Sequence, residues 1–186
     1  MDVRRVVTGH DADGRAVFVA DDMVSATTVA RSSTSYHELW RADEAPTFPS
    51  RGANGRKTSF FPPLGGYRFF ILTIPPGDGH ANIEGLDLES ALELEDRLPG
   101  ILEVNEPDNP GMHTTDTVDM EIMLSGEVVL ELDDGAETTL RVGDVNIQNG
   151  TRHRWHNRGA EPAVMAVVLV GGQRLHDGRQ EASRGF

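Results

Sequence analysis

The sequence predicts an all-β protein, a single antiparallel sandwich or barrel with one short helix. Three observations predict it. Short β-prone runs recur at even spacing. Ten prolines and 20 glycines punctuate them as turns. Only one stretch, Asp87 to Leu98, spaces its apolar residues like a helix.

The elements follow in order. Arg4 to Thr8 and Ala16 to Ala20, around the turn at Asp11 to Gly14, read as a hairpin. Ser35 to Arg41 reads as a strand, and Ala42 to Gly66 as a long loop rich in Pro, Gly and charge. Tyr67 to Ile74 is a strong strand ended by Pro75-Pro76-Gly77. Tyr67, Phe69, Ile71 and Thr73 share one face and are expected to line the pocket or core. Leu88, Ala91, Leu92, Leu94 and Leu98 form the helical stripe, stopped by Pro99-Gly100. Gly100 to Gly111 is a loop. Met120–Leu124 and Val128–Leu132 flank Ser125-Gly126-Glu127, a tight-hairpin signal, and Asp133-Asp134-Gly135 suits a two-residue hairpin. Strands are expected at Thr138–Val142, Asp144–Gln148, His153–Arg158 and Ala163–Val170, then a fraying tail.

Composition limits the function. A chain of 186 residues with 38% hydrophobic and 25% charged residues is one globular domain. The net charge of −13 opposes binding to nucleic acid or to an anionic membrane. There are no cysteines, hence no disulfide or thiolate site. No apolar run has the length of a membrane span, and a cytoplasmic location is expected. Nucleophile-elbow, P-loop and dinucleotide motifs are missing from the sequence.

Two histidine segments carry the chemistry. Strand alternation from Gly111 puts His113, Thr115, Thr117, Asp119, Glu121 and Met123 on one face. In the second segment His153, Trp155 and Asn157 share a face and His156 points away, to solvent or a subunit interface. If the two segments are neighbours, two imidazoles and a carboxylate converge. That donor set suits Fe(II) and accepts Mn, Ni or Zn. The alternative is a metal-free interior in which His113 and Asp119 only hydrogen-bond. Glu121, in a partly dry barrel, is the candidate general acid or base, or else the partner of an arginine. Thr115, Trp155 and Met123 are candidate pocket residues. Trp155 serves as a stacking wall or as plain core, and His80 is an ordinary loop histidine.

These segments resemble the two motifs of the cupin superfamily, Gly-x5-His-x-His-x3-4-Glu-x6-Gly and Gly-x5-Pro-x-Gly-x2-His-x3-Asn. His113 stands at the first histidine, Thr115 at the second, Asp119 at the glutamate and Gly126 at the closing glycine. Gly143, Gly150, His153 and Asn157 match the second motif, with Asn149-Gly150 in place of Pro-x-Gly. The resemblance implies a jelly-roll barrel over 67–172, with a helical insertion at about 79–112 as a lid. N-terminal strands and loop over 1–66 would pack on it, and 173–186 would form the tail. It implies one divalent transition metal on His113, Asp119 and His153, and a small oxygen-bearing substrate. An isomerase, dehydratase or other lyase is the first expectation. An Fe-dependent dioxygenase and a non-catalytic binding cupin are the alternatives. It also implies a homodimer joined through sheet edges and N-terminal strands.

Overall fold

A computed structural model describes residues 2–28, 34–77 and 87–175. The chain orders β1 (Val3–His10), β2 (Ala16–Val24), β3 (Thr27–Thr28), β4 (Ser35–Ala42) and β5 (Tyr67–Ile74), then α1 (Leu88–Arg97). β6 (Thr117–Ser125), β7 (Glu127–Glu131), β8 (Glu137–Arg141), β9 (Val145–Asn149), β10 (Arg154–His156) and β11 (Ala163–Gly171) complete it. The sheets are antiparallel: a β1-β2 hairpin, a three-stranded β10-β7-β8 sheet, and a six-stranded sheet ordered β3-β4-β5-β11-β6-β9. The fold is the all-β jelly roll that the sequence predicts.

The core lies between the six- and three-stranded sheets. Phe70, Leu72 and Ile74 of β5 meet Met165, Val167 and Leu169 of β11, with Val128 and Leu130 of β7 and Trp155 of β10 in the same cluster. On β5 it is therefore Arg68, Phe70, Leu72 and Ile74 that are buried, not the Tyr67 row. Both faces of this strand are apolar, so alternation alone gave no direction. The helix starts on Asp87, whose side chain accepts from the Ser90 N–H. Only Leu94 within it is buried, joined by Leu98; Leu88 and Leu92 are exposed, so the stripe is narrower than expected.

Two turns differ from expectation. Gly126 does not close a hairpin: β6 and β7 lie in different sheets, and the glycine turns the corner at φ 70°, against Ala163. A glycine between apolar runs reads the same in either case. At the next turn Asp134 and Gly135 take the positive φ that Asp-Gly favours. The Leu132 N–H, however, donates to the Ala136 carbonyl, so three residues form the loop.

The long loop after β4 is organised by Arg68, which is 1% exposed. Its guanidinium donates to the carbonyls of Ala42, Ser59, Phe60 and Tyr67 and to Asp43 at 2.6 Å. Asp43→Ala leaves that charge buried without its counter-ion and is expected to cost about 3 kcal/mol in urea unfolding. A loss under about 0.5 kcal/mol, the scatter of ordinary surface changes, would deny the pair this role.

Candidate metal and acid–base centre

The two histidine segments meet. His113 and His153 exchange both backbone hydrogen bonds at 3.0 Å, and their rings lie with centroids 4.2 Å apart and planes tilted by 50°. The contact is a bridge, not a long ladder: residues 113–116 lie outside any strand and β6 begins only at Thr117. The alternation nevertheless survives. His113, Thr115, Thr117, Asp119, Glu121 and Met123 are all buried, as are His153, Trp155 and Asn157.

Each imidazole is prepared by its backbone. His113 Nδ1 donates to the Gly111 carbonyl at 3.0 Å, and His153 Nδ1 to the Thr151 carbonyl at 2.9 Å. This tautomer leaves the lone pair on Nε2 in both rings. Burial lowers the pKa of both. His153 falls to about 3, through desolvation first and the neighbouring His113 second. Both are therefore neutral at pH 7, the form that binds a metal.

The carboxylates sit on β6. Desolvation raises Asp119 to about 6, against a hydrogen bond from Thr117. Desolvation also raises Glu121 to about 7, against a hydrogen bond from Asn146 and helped by the charge of Asp119. Asp119 Oδ1 is buried and, among the described residues, has no hydrogen-bond partner. Among the described residues, no lysine or arginine contributes to either shift. The Thr115 hydroxyl bonds that of Thr117 at 2.8 Å, so Thr115 extends the polar row at the carboxylate end. Trp155 is core, edge-on to His153 at 5.9 Å, and Met123 is also core.

The donor types fit a divalent transition metal: two neutral imidazoles with anchored Nδ1 atoms, and a buried carboxylate oxygen lacking a partner. His113, Asp119 and His153 do not, however, form a set whose ligand atoms all lie within 4.8 Å of one another. Among the described residues that set is Glu131, Glu137 and His156, on the far side of β10. His156 does point away from His153, but it is buried against Glu131 at 2.6 Å. Arg154 and Arg158 already pair with the two glutamates, so that cluster carries its own counter-charges. His80 lies outside the described residues.

The segment after α1 is tied to the two histidine segments. Asn105 bridges His113, Arg152 grips Glu106 with two bonds, and Arg154 donates to Asn109 and the Pro110 carbonyl. A cleft of about 540 Å³ lies beside it, lined by Ser59, Phe61, Val104, Glu106, Thr114 and Thr117.

Sequence reading missed Asn146 and Gln148. They point inward from β9 while Val145 and Ile147 are exposed. β6 is inverted in the same way, with Asp119 and Glu121 inside and Val118, Met120, Ile122 and Leu124 exposed. Adjacent strands that bury polar side chains and expose apolar ones were a readable signal for both residues.

The family profile described as a cupin domain matches residues 101–170, which contain both histidine segments. The cupin-domain-containing oxidoreductase virC of Hypocrea virens is 39% identical over 170 residues, 89% of this chain and 74% of that protein. The chain belongs to the cupins. Phomopsin biosynthesis cluster protein C' of Diaporthe leptostromiformis is 30% identical to this cupin over 83% of the chain and 70% of its own length. The cupin domain of Schizosaccharomyces pombe Cnp3 superposes with a TM-score of 0.46 at 9% identity, over 91% of this cupin and 87% of that chain. Among the described residues, no helix of this cupin is long and apolar enough to cross a membrane.

Proposed function

We propose that this cupin is a metal-dependent enzyme acting on a small oxygen-bearing organic molecule, with His113, His153 and Asp119 as ligands and Glu121 as the proton carrier. The observation that carries this is the inverted β6. Burying two carboxylates without a cation is costly, and a sequence serving only stability would place Val118 and Met120 inside.

When bound, the metal supplies a Lewis acid for a carbonyl or enol oxygen. The chain's own residues do the rest. Gly111 and Thr151 hold the imidazoles in one tautomer. Asn146 holds one Glu121 oxygen at 2.7 Å. Glu121, with its pKa near 7, accepts or returns a proton at neutral pH. This favours isomerase, dehydratase or other lyase chemistry. The oxidoreductase name of virC supports oxidation as the second reading.

Two measurements separate these readings. Solvent deuterium should enter hydroxyketone probes in the presence of metal-loaded wild type, and Glu121→Gln should lower the rate about 100-fold or more while keeping the metal. Oxygen uptake by the Fe(II)-loaded protein, with no deuterium exchange, would replace the first reading with the second. Equal rates in wild type and variant would remove Glu121 from the mechanism.

The partner we propose is a second copy. Met120 and Ile122 of β6 lie opposite Ile147 and Val145 of β9, giving a contiguous exposed apolar face. The β1-β2 hairpin adds exposed Phe18 and Met23. A groove lined by Trp40, Tyr67 and Phe69 runs beside the hairpin. Sedimentation of the wild type is expected to give a dimer, and Met120→Glu/Ile147→Glu a folded monomer. A monomeric wild type at micromolar concentration would contradict the proposal.

A further inference from the structure

We infer that Gln148 and Asn146 form an amide relay that fixes the His153 ring and the Glu121 carboxylate as one unit, with Gln148 the positioning residue for His153. Gln148 is 2% exposed and lies directly opposite Asp119 across the β6–β9 ladder. Its Nε2 donates to the Thr151 carbonyl at 3.1 Å and also contacts the Thr151 hydroxyl. That same carbonyl accepts the His153 Nδ1–H. At the other end Asn146 Nδ2 donates to Glu121 Oε2 at 2.7 Å and to Gln148 Oε1 at 3.3 Å.

With Glu121 ionised, the direction of each bond follows. A carboxylate accepts, so Asn146 must present its NH2 to Glu121. The same NH2 reaches Gln148, so the Gln148 oxygen faces Asn146 and its NH2 faces Thr151. The Thr151 carbonyl is thereby held where the His153 ring needs it, and Nε2 keeps the lone pair. A buried Gln148 and a half-buried Asn146 on the inward row of a β-strand have no packing reason to be there, because their neighbours Val145 and Ile147 point outward. The relay therefore joins the residue proposed to move the proton to a residue proposed to hold the ion.

This inference rests on the reading of His153 as a ligand, and its test has a readout independent of that reading. Ring ¹⁵N shifts of the metal-free wild type are expected to report a single Nδ1–H tautomer at His153. Gln148→Met, which keeps the volume, is expected to give mixed tautomers and to weaken Ni²⁺ binding about 10- to 100-fold. Asn146→Leu should shift both readouts the same way but less. Thr151→Val, which keeps the carbonyl, should leave the tautomer unchanged. A Gln148→Met protein with one Nδ1–H tautomer and Ni²⁺ affinity within about twofold of wild type, well short of the usual effect of losing such a partner, overturns the relay. A wild type that takes up no Ni²⁺ refutes the ligand reading alone, and the tautomer still decides the role of Gln148.

Discussion

At pH 8 the metal-free Asp119→Asn/Glu121→Gln double variant is expected to be more stable than the wild type by about 5 kcal/mol. The folded protein holds Asp119 at about 6 and Glu121 at about 7, above their ordinary values, because burial penalises the ionised forms. Each rise of about two units corresponds to about 3 kcal/mol, and the two do not add fully because Asp119 contributes to the Glu121 shift. The sign follows from proton uptake. Below the unfolded values near 4 both carboxyls are protonated folded or unfolded, and they cost nothing. As the pH rises above 4 the unfolded chain gives up these protons while the folded protein keeps them, so stability is lost until the folded groups ionise in turn near 6 and 7. The advantage of the variant is therefore absent near pH 4, opens between pH 4 and 7, and is complete by pH 8.

The histidines act in the opposite direction. His113 and His153 are held neutral, so stability falls as the pH drops below their ordinary value and the unfolded chain takes up protons. That contribution is common to both proteins and cancels in their difference. Urea unfolding at several pH values, with chelator present, measures the difference directly. A variant less stable than wild type at pH 8, or a difference independent of pH, would show that the two carboxylates are comfortable where they lie. The buried acids would then be structural, and Glu121 would lose its claim to a proton near neutral pH.

How much of this was legible depends on what each residue touches locally. The turns, the helix start at Asp87 and most strands announce themselves through Gly, Pro, Asp and alternation, which act within a few residues. The inward face of β6 was readable because Asp119 and Glu121 break an otherwise apolar strand. The inward face of β5 was not, since Tyr67 and Phe70 are equally apolar, and only the sheet stacked on it decides which is covered. The corner at Gly126 differs from the expected hairpin because β6 pairs with β9 and β11, both well beyond β7 in the chain, and no local signal names them. The His113–His153 encounter was legible as a pairing of motifs. The Gly111 and Thr151 carbonyls that set their tautomers are backbone groups, and side-chain patterns carry no trace of them.

Metal binding is expected to respond to the barrel interior and to ignore the outer cluster. His113→Ala and His153→Ala should each abolish uptake, since removing one imidazole from a three-donor set leaves two donors for an ion that prefers at least three protein ligands. Asp119→Ala should weaken it by at least about tenfold, because the only anionic donor of the proposed set is gone. Glu137→Ala and His156→Ala should bind as wild type, because Arg154 and Arg158 already neutralise that face. A tightly bound ion would also offset the cost of ionising Asp119, so the loaded wild type should lose less stability between pH 5 and 8 than the metal-free protein.

The most direct measurement is the metal content of wild type and of these variants, purified without chelator and then exposed to Fe²⁺, Mn²⁺, Ni²⁺ and Zn²⁺. About one equivalent of a transition metal per chain is predicted in the wild type, and none in His113→Ala or His153→Ala. An ion that persists in both variants, or one that disappears only with Glu137→Ala and His156→Ala, would contradict the account.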